Sequence, residues 1–226
     1  MFFDFLTRPK CFICGRNSET GLCKGCINQF QFLRPPFCKV CKSNKIIDNC
    51  CLECQSRVPL FENVITVGIY NGILKSLIYE LKYQGLKKYA KPLGFLLAQK
   101  IKNEISFKEI DFITSIPLHP EKLKIRKYNQ AKIISLQVAK SLNKPYLDLI
   151  SRHKNTKAQF LLSHQQRIEN ISDAFEINTK KNLTGKNILI VDDIFTTGTT
   201  VQEACKVLKE ALAGEIYVGV IARSLT

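Results

Sequence analysis

The chain has 226 residues, 45% of them hydrophobic, which suits one ordinary domain plus a small one, and no apolar run is long enough to cross a bilayer. Lys and Arg number 34 against 19 Asp and Glu, a formal charge of +15 that favours polyanionic partners, nucleic acid above all. A solvated lysine-rich surface gives the same sum, so the placement of the charge matters more than its total. The opening stretch "MFFDFLTRPK" contains Asp4 and shows no cleavable signal pattern, and the expectation is a soluble cytoplasmic protein without membrane insertion.

The first segment is marked by cysteine. Nine of the ten cysteines fall before residue 55, as Cys11-x2-Cys14, Cys23-x2-Cys26, Cys38-x2-Cys41 and Cys50-Cys51-x2-Cys54. Cys11 to Cys38 and Cys14 to Cys41 are shifts of 27 and Cys26 to Cys54 a shift of 28, the mark of an internal duplication. In a reducing compartment such knuckles mean metal rather than disulfides. Four thiolates satisfy tetrahedral Zn2+ and leave no open position, so two structural zincs are expected. Cys11, Cys14, Cys23 and Cys26 would hold one, and Cys38, Cys41, Cys51 and Cys54 the other. Cys50 fits the repeat shift while the CxxC spacing favours Cys51, and pairings crossed between the copies stay open. A segment of about 50 residues is too small to fold on apolar burial alone, so the metal is needed.

After Pro59 the texture changes, which sets a boundary between a double zinc ribbon at 1–58 and a larger domain at 59–226. "NVITVGIY" predicts a strand, and "GILKSLIYELKYQG" and "KKYAKPLGFLLAQKIKNE" predict helices. "EIDFITSIPL" is a buried strand, and "NQAKIISLQVAKSL" an amphipathic helix with Ala131, Ile134, Val138 and Leu142 on its apolar stripe. "YLDLI" and "DAFEI" are short strands and "NILIVDD" a continuous apolar one. Thr199 to Ala213 is a helix with Val201, Ala204, Cys205, Leu208 and Leu212 toward the core and Gly214 ending it. "IYVGVIA" is the last strand. Alternation of this kind predicts an α/β fold with an open, mostly parallel sheet and flanking helices.

In such sheets ligands sit beyond the carboxyl ends of the strands. Asp192 and Asp193 are placed there by "ILIVDDIFTTGTT", and the loop that follows enters a helix whose free amides and positive dipole end suit phosphate. Gly198 lets the backbone approach the anion, and Thr196, Thr197, Thr199 and Thr200 add hydroxyl donors. The carboxylates would accept from sugar hydroxyls, giving a seat with a phosphate end and a ribose end. Two cationic loops should face it. One runs from Lys122 to Lys132 with Lys122, Lys124, Arg126, Lys127 and Lys132 and no acid. The other runs from Ser151 to Arg167 with Arg152, His153, Lys154, Lys157, His164 and Arg167.

At "ILIVDDIFTTGTT" the sequence resembles the type I phosphoribosyltransferases, whose signature for 5-phosphoribosyl-1-pyrophosphate (PRPP) is an aliphatic strand, two acids and a threonine-glycine loop. The resemblance implies that Asp192 and Asp193 meet the ribose hydroxyls and that Thr196, Thr197, Gly198, Thr199 and Thr200 cradle the 5′-phosphate, with Mg2+ accompanying PRPP. Two further segments are similar to the ComF family of competence proteins: "IPLHPEKLKIRKYNQA", with Pro117, His119, Arg126 and Lys127, and "RHKNTKAQFLLSHQQRIENISDAF", with Arg152 and Arg167. In the first, Lys127 stands where that family has glycine and Tyr128 where it has phenylalanine. The double zinc ribbon belongs to the same architecture, so the resemblance spans nearly the whole chain.

No segment reads as a pocket for a nucleobase acceptor, and no hood is expected beyond the last strand. The resemblance therefore implies a protein of natural transformation that binds incoming single-stranded DNA, with PRPP or a related phosphoribosyl compound as ligand and a competence helicase or DNA-transport protein as a further partner. Tyr83, Tyr128 and Phe160 are candidates for base stacking. The alternative is an active phosphoribosyltransferase with an unknown acceptor.

Overall fold

The computed structural model describes residues 9–154 and 171–225. Two one-turn helices, α1 (Lys24–Ile27) and α2 (Leu52–Ser56), lie among the cysteines. Then come β1 (Val64–Ile69), α3 (Gly72–Tyr83), α4 (Ala90–Glu104), β2 (Phe112–Ser115), α5 (Pro120–Arg126) and α6 (Gln130–Leu142). They are followed by β3 (Ile150–Arg152), β4 (Phe175–Ile177), β5 (Ile188–Phe195), α7 (Thr199–Glu210) and β6 (Ile216–Arg223).

β1, β6, β5 and β2 form a parallel sheet in that order. Parallel strands covered on both faces are apolar throughout, which is why "ILIV" shows no alternation. Leu189 and Val191 join the core of α3, α4 and α6, while Ile188 and Ile190 join that of α7. The predicted stripe Ala131, Ile134, Val138 and Leu142 is buried, as are Val201, Ala204, Cys205 and Leu208. Cys205 is thus a core residue, its thiol pushed up by burial.

Three expectations change. The short strands form a ribbon of their own: β3 and β4 pair antiparallel, while "YLDLI" meets the main sheet at β2 through a bridge from Tyr146 to Ile113, the Leu147 amide donating to the Ile113 carbonyl at 2.9 Å and the Leu149 amide to Thr114 Oγ1 at 3.3 Å. β5 runs on to Phe195, so the acid pair lies inside its last turn of pairing rather than after it. α7 stops at Glu210, and Leu212 takes the left-handed conformation (φ 61°) and is 65% exposed, not core. Gly214 serves close approach instead: a Cβ there would lie 2.5 Å from Asn187 Oδ1 and 2.8 Å from the Gly185 carbonyl oxygen.

The cysteine segment lies along the β1 edge of the sheet. The Ile69 amide donates to the Gln31 carbonyl at 2.7 Å and the Val64 amide to the Val40 carbonyl at 2.8 Å. An edge strand that offers bare amides invites pairing with other chains, and here the same chain satisfies them. Phe12 meets Tyr89 edge-on with ring centroids 6.0 Å apart, and Phe61 meets Phe195 in the same way at 6.0 Å. Among the described residues no helix is long and apolar enough to cross a membrane.

Candidate ligand site at the carboxyl edge of the sheet

The cysteines gather into two tetrads, Cys11, Cys14, Cys23 and Cys26, and Cys38, Cys41, Cys51 and Cys54, the ligand atoms of each within 4.8 Å of one another. Cys14 and Cys23 Sγ are 3.6 Å apart and Cys41 and Cys51 Sγ 3.5 Å. A Zn–S bond of about 2.3 Å puts tetrahedral sulfurs about 3.8 Å apart, so both tetrads fit zinc. Neither tetrad borrows a cysteine from the other copy. Cys50 lies beside the second one, its Sγ 3.7 Å from that of Cys38. Burial opposes the thiolate at Cys11, yet the amides of Cys14, Cys23 and Ile13 hold its thiol down to about 6. Cys38 is treated alike by the amides of Cys41, Cys51 and Val40, again to about 6 against burial. Each tetrad thus holds a thiol low, while burial first pushes Cys26 and Cys41 up to about 12 and raises Cys54 as well.

Across the sheet, the aspartates of β5 have unlike surroundings. Asp193 is buried, and Lys82 from the last turn of α3 donates to its Oδ1 at 2.8 Å. Its Oδ2 is buried with no hydrogen-bond partner among the described residues. Asp192 is half-buried and accepts from the Asp193 amide at 2.8 Å. Burial and the charge of Asp193 push the Asp192 carboxyl up to about 7, against the pull of Lys82 and Arg152. Burial alone would lower the Lys82 ammonium; the Asp193 carboxylate raises it instead. The pair thus has one carboxylate locked to a lysine with a spare oxygen, and one poised between its charged and neutral forms.

Beyond Phe195 the chain turns through Thr196, Thr197 and Gly198 into α7. Gly198 precedes the helix with φ 81°, and a Cβ there would come within 2.5 Å of the Phe195 ring, so both conformation and space call for glycine. No side chain caps this helix end, whose first-turn amides have no intrahelical acceptor. The Thr197 and Thr199 hydroxyls are 2.9 Å apart, with Thr199 buried and Thr196, Thr197 and Thr200 half-buried. A cavity of about 240 Å³ opens against Thr197, Gly198 and Thr199, its far wall formed by Cys41, Phe61 and Arg223.

The cationic loops reach the same edge. Asn129 ties the first of them to β2: its Oδ1 caps α6 by accepting from the amides of Ala131 and Lys132, at 3.0 and 3.4 Å, and its Nδ2 donates to the Ile116 carbonyl at 2.8 Å. Pro117 is half-buried in the intervening loop, and His119 caps α5, its Nδ1 accepting from the Glu121 amide at 3.3 Å. Arg126 packs over the Tyr83 ring at 5.1 Å. Arg152 closes β3 over the Phe175 ring at 5.5 Å, and its charge acts on Asp192. Burial, then Arg152 and Arg126, lower the Lys122 ammonium, as expected where cations converge. Arg167, and with it Lys157, Phe160 and His164, lies outside the described residues.

Comparison with known proteins follows this geometry. Residues 131–225 match the phosphoribosyl transferase domain family. Over 232 aligned residues the sequence is 30% identical to competence protein F of Haemophilus influenzae, covering 99% of each chain. The chain belongs to the ComF family. It is also 26% identical to competence protein ComFC of Streptococcus pneumoniae, over 92% of this chain and 96% of that one. With the DNA utilization protein YhgH of Escherichia coli it shares 27% identity, over 77% of this chain and 78% of that one. This ComF chain has the type I phosphoribosyltransferase fold, with the family match at residues 131–225, beside its two cysteine tetrads.

Two departures from the ComF pattern now have physical descriptions. Lys127 ends α5 in the left-handed conformation (φ 66°), a backbone state that glycine adopts without steric cost. Tyr128 is buried, donates its hydroxyl to the Leu81 carbonyl and lies under Lys87 at 4.7 Å, so its ring faces no solvent and cannot stack a base. Two residues at the site gave no signal in the sequence. Lys82 is one. The other is Arg223, buried at the end of β6, whose Nε donates to the Cys41 carbonyl at 2.9 Å and whose Nη1 reaches the carbonyls of Phe195, Thr196 and Ser224. One guanidinium joins the second cysteine tetrad to the turn before α7.

Proposed function

We propose that this chain binds PRPP, or a closely related phosphoribosyl compound, with Mg2+ at the acid pair and the Thr196–Thr200 turn, and that it handles single-stranded DNA in the cytoplasm during natural transformation. The unshared Oδ2 of Asp193 carries the first half: a buried carboxylate oxygen without a donor needs one, and a ribose hydroxyl would supply it. Asp192 would take the neighbouring hydroxyl, the turn the 5′-phosphate, and Lys122, Arg126 and Arg152 the pyrophosphate. The roles of Pro117 and His119 are then to hold the loop between β2 and α5 in place, and Arg167 is proposed to act from the second cationic segment. The relatives named for competence and DNA utilization support the second half. The basic surplus would meet the DNA backbone, and a helicase or transport protein of the uptake machinery is the proposed receiver. The zinc ribbon, 1–58, braces the phosphoribosyltransferase domain, 59–226.

A second reading, phosphoribosyl transfer to an unknown acceptor, draws on the converging cations around Lys122, which would stabilise departing pyrophosphate. One experiment separates the two. Zinc-loaded protein is titrated with PRPP and Mg2+ and with a single-stranded oligonucleotide, alone and together, while pyrophosphate is assayed. The binder gives saturable PRPP uptake, DNA affinity that falls steeply with salt and no pyrophosphate. Sustained Mg2+-dependent pyrophosphate release, lost in Asp192→Ala, establishes the enzyme instead.

A further inference from the structure

The exposed face of α3 carries two tyrosines that the phosphate seat does not use, beside Arg126, which it shares. Tyr79 and Tyr83, one helical turn apart, are 51% and 57% exposed, with ring centroids 4.9 Å apart. Arg126 extends this surface from α5 by lying over the Tyr83 ring at 5.1 Å. Lys75, one turn before Tyr79, is exposed, as is Lys127, and Ile125 between the two basic ends of α5 is 80% exposed. The acid of this stretch, Glu80, is engaged away from it, accepting the Tyr89 hydroxyl at 2.7 Å. Flat aromatic faces flanked by cations, with the one carboxylate drawn inward, match a chain that alternates bases with phosphates. A duplex hides its base faces, so only an unpaired strand can stack on these half-exposed rings. Stacked bases and backbone phosphates need both kinds of group at neighbouring positions, and an acidic or apolar peptide needs only one.

We propose that Tyr79, Tyr83 and Arg126 form a stacking ledge for single-stranded nucleic acid, with Lys75 and Lys127 holding its phosphates. The ledge rests on the DNA-handling half of the function proposed above. It begins next to Lys82, whose ammonium holds Asp193, so a strand lying on it would run toward the acid pair.

The test uses the full zinc-loaded chain and a fluorescent 20-nucleotide oligo-dT, read by anisotropy at low salt, with a duplex of equal length beside it. Tyr79→Ala with Tyr83→Ala is expected to weaken oligo-dT binding about tenfold or more, since each stacked base contributes that order of affinity. Tyr79→Phe with Tyr83→Phe keeps the rings and the binding, and PRPP affinity stays unchanged in all variants. Wild-type affinity for oligo-dT in the double alanine variant overturns the ledge while leaving DNA binding intact elsewhere. Equal loss of duplex and oligo-dT binding also overturns it, because stacking would then play no part. A wild-type protein that binds neither removes the DNA reading itself, and the ledge with it.

Discussion

Replacing Lys82 by methionine is expected to destabilise the fold by about 3–5 kcal/mol and to remove phosphoribosyl binding, the former read as a shift of the urea midpoint at constant slope. The reason is the asymmetry of a buried ion pair. Lys82 and Asp193 are 2.8 Å apart with side chains only 18% and 5% exposed, so loss of the ammonium leaves a carboxylate in the interior without water or partner. Asp192 then loses the pull of the Lys82 charge, and its carboxyl is driven further toward the protonated form. Lys82→Met combined with Asp193→Leu takes away both charges and should restore most of the stability, because an apolar pair of similar size replaces the ionic one. It should not restore ligand binding, since the sugar's acceptor is gone. That split separates the two roles of Asp193. Wild-type stability in the single variant would mean that Asp193 does not depend on Lys82.

Loss of the second zinc is expected to weaken phosphoribosyl binding about tenfold or more, although the tetrad meets the proposed phosphate seat only where Cys41 and Cys54 line the cavity against the turn. Arg223 is the link. Its guanidinium spans the carbonyls of Cys41 and Thr196 and packs on the Phe195 ring at 5.0 Å, so the knuckle, the turn and the end of β6 share one buried cation. A hydrogen bond from a charged group contributes about 1.5–3 kcal/mol, which in affinity is tenfold or more when a single such contact shapes the site. Gln202 adds a second brace by accepting from the Leu60 amide at 3.1 Å through its side-chain oxygen. Cys54→Ser should therefore lower PRPP affinity, and Arg223→Lys should do the same with zinc still bound, because an ammonium cannot span the same carbonyls. Cys14→Ser, in the tetrad that packs toward α4, is the comparison and should change affinity less. The zinc content of each variant and its ligand isotherm are measured together. Unaltered affinity in both Cys54→Ser and Arg223→Lys would contradict the coupling.

Much of this was readable from local pattern. "ILIVDDIFTTGTT" gives its strand away because a strand buried on both faces leaves no polar position, and gives its turn away because only glycine suits the backbone at 198. The cysteine repeat shows its knuckles in the same way, since two ligands per hairpin are set by short-range geometry, while the grouping of knuckles into tetrads, which left crossed pairings open, needs the fold. What escaped notice depends on contacts between distant positions. Lys82 sits in "YELKYQG", where a lysine looks like any solvated helix residue, and its partner is Asp193. Arg223 follows an apolar strand and looks like its polar end, yet it reaches back to Cys41. Leu212 was assigned to the core by helical spacing, but α7 ends before it and the left-handed turn carries it out to solvent. The antiparallel pairing of β3 with β4 lay beyond reach for a related reason: strands of three residues carry too little pattern to announce a partner.

The seat for a phosphorylated sugar is tested most directly by calorimetric titration of the zinc-loaded protein with PRPP and Mg2+, beside a variant in which Thr196, Thr197, Thr199 and Thr200 are alanine and Gly198 is kept. Saturable binding of one ligand per chain is expected for the wild type, with a loss of at least tenfold in the variant while its urea midpoint barely moves. Equal affinity in the two proteins, or no heat of binding in the wild type, would show that the turn after the acid pair holds no phosphate.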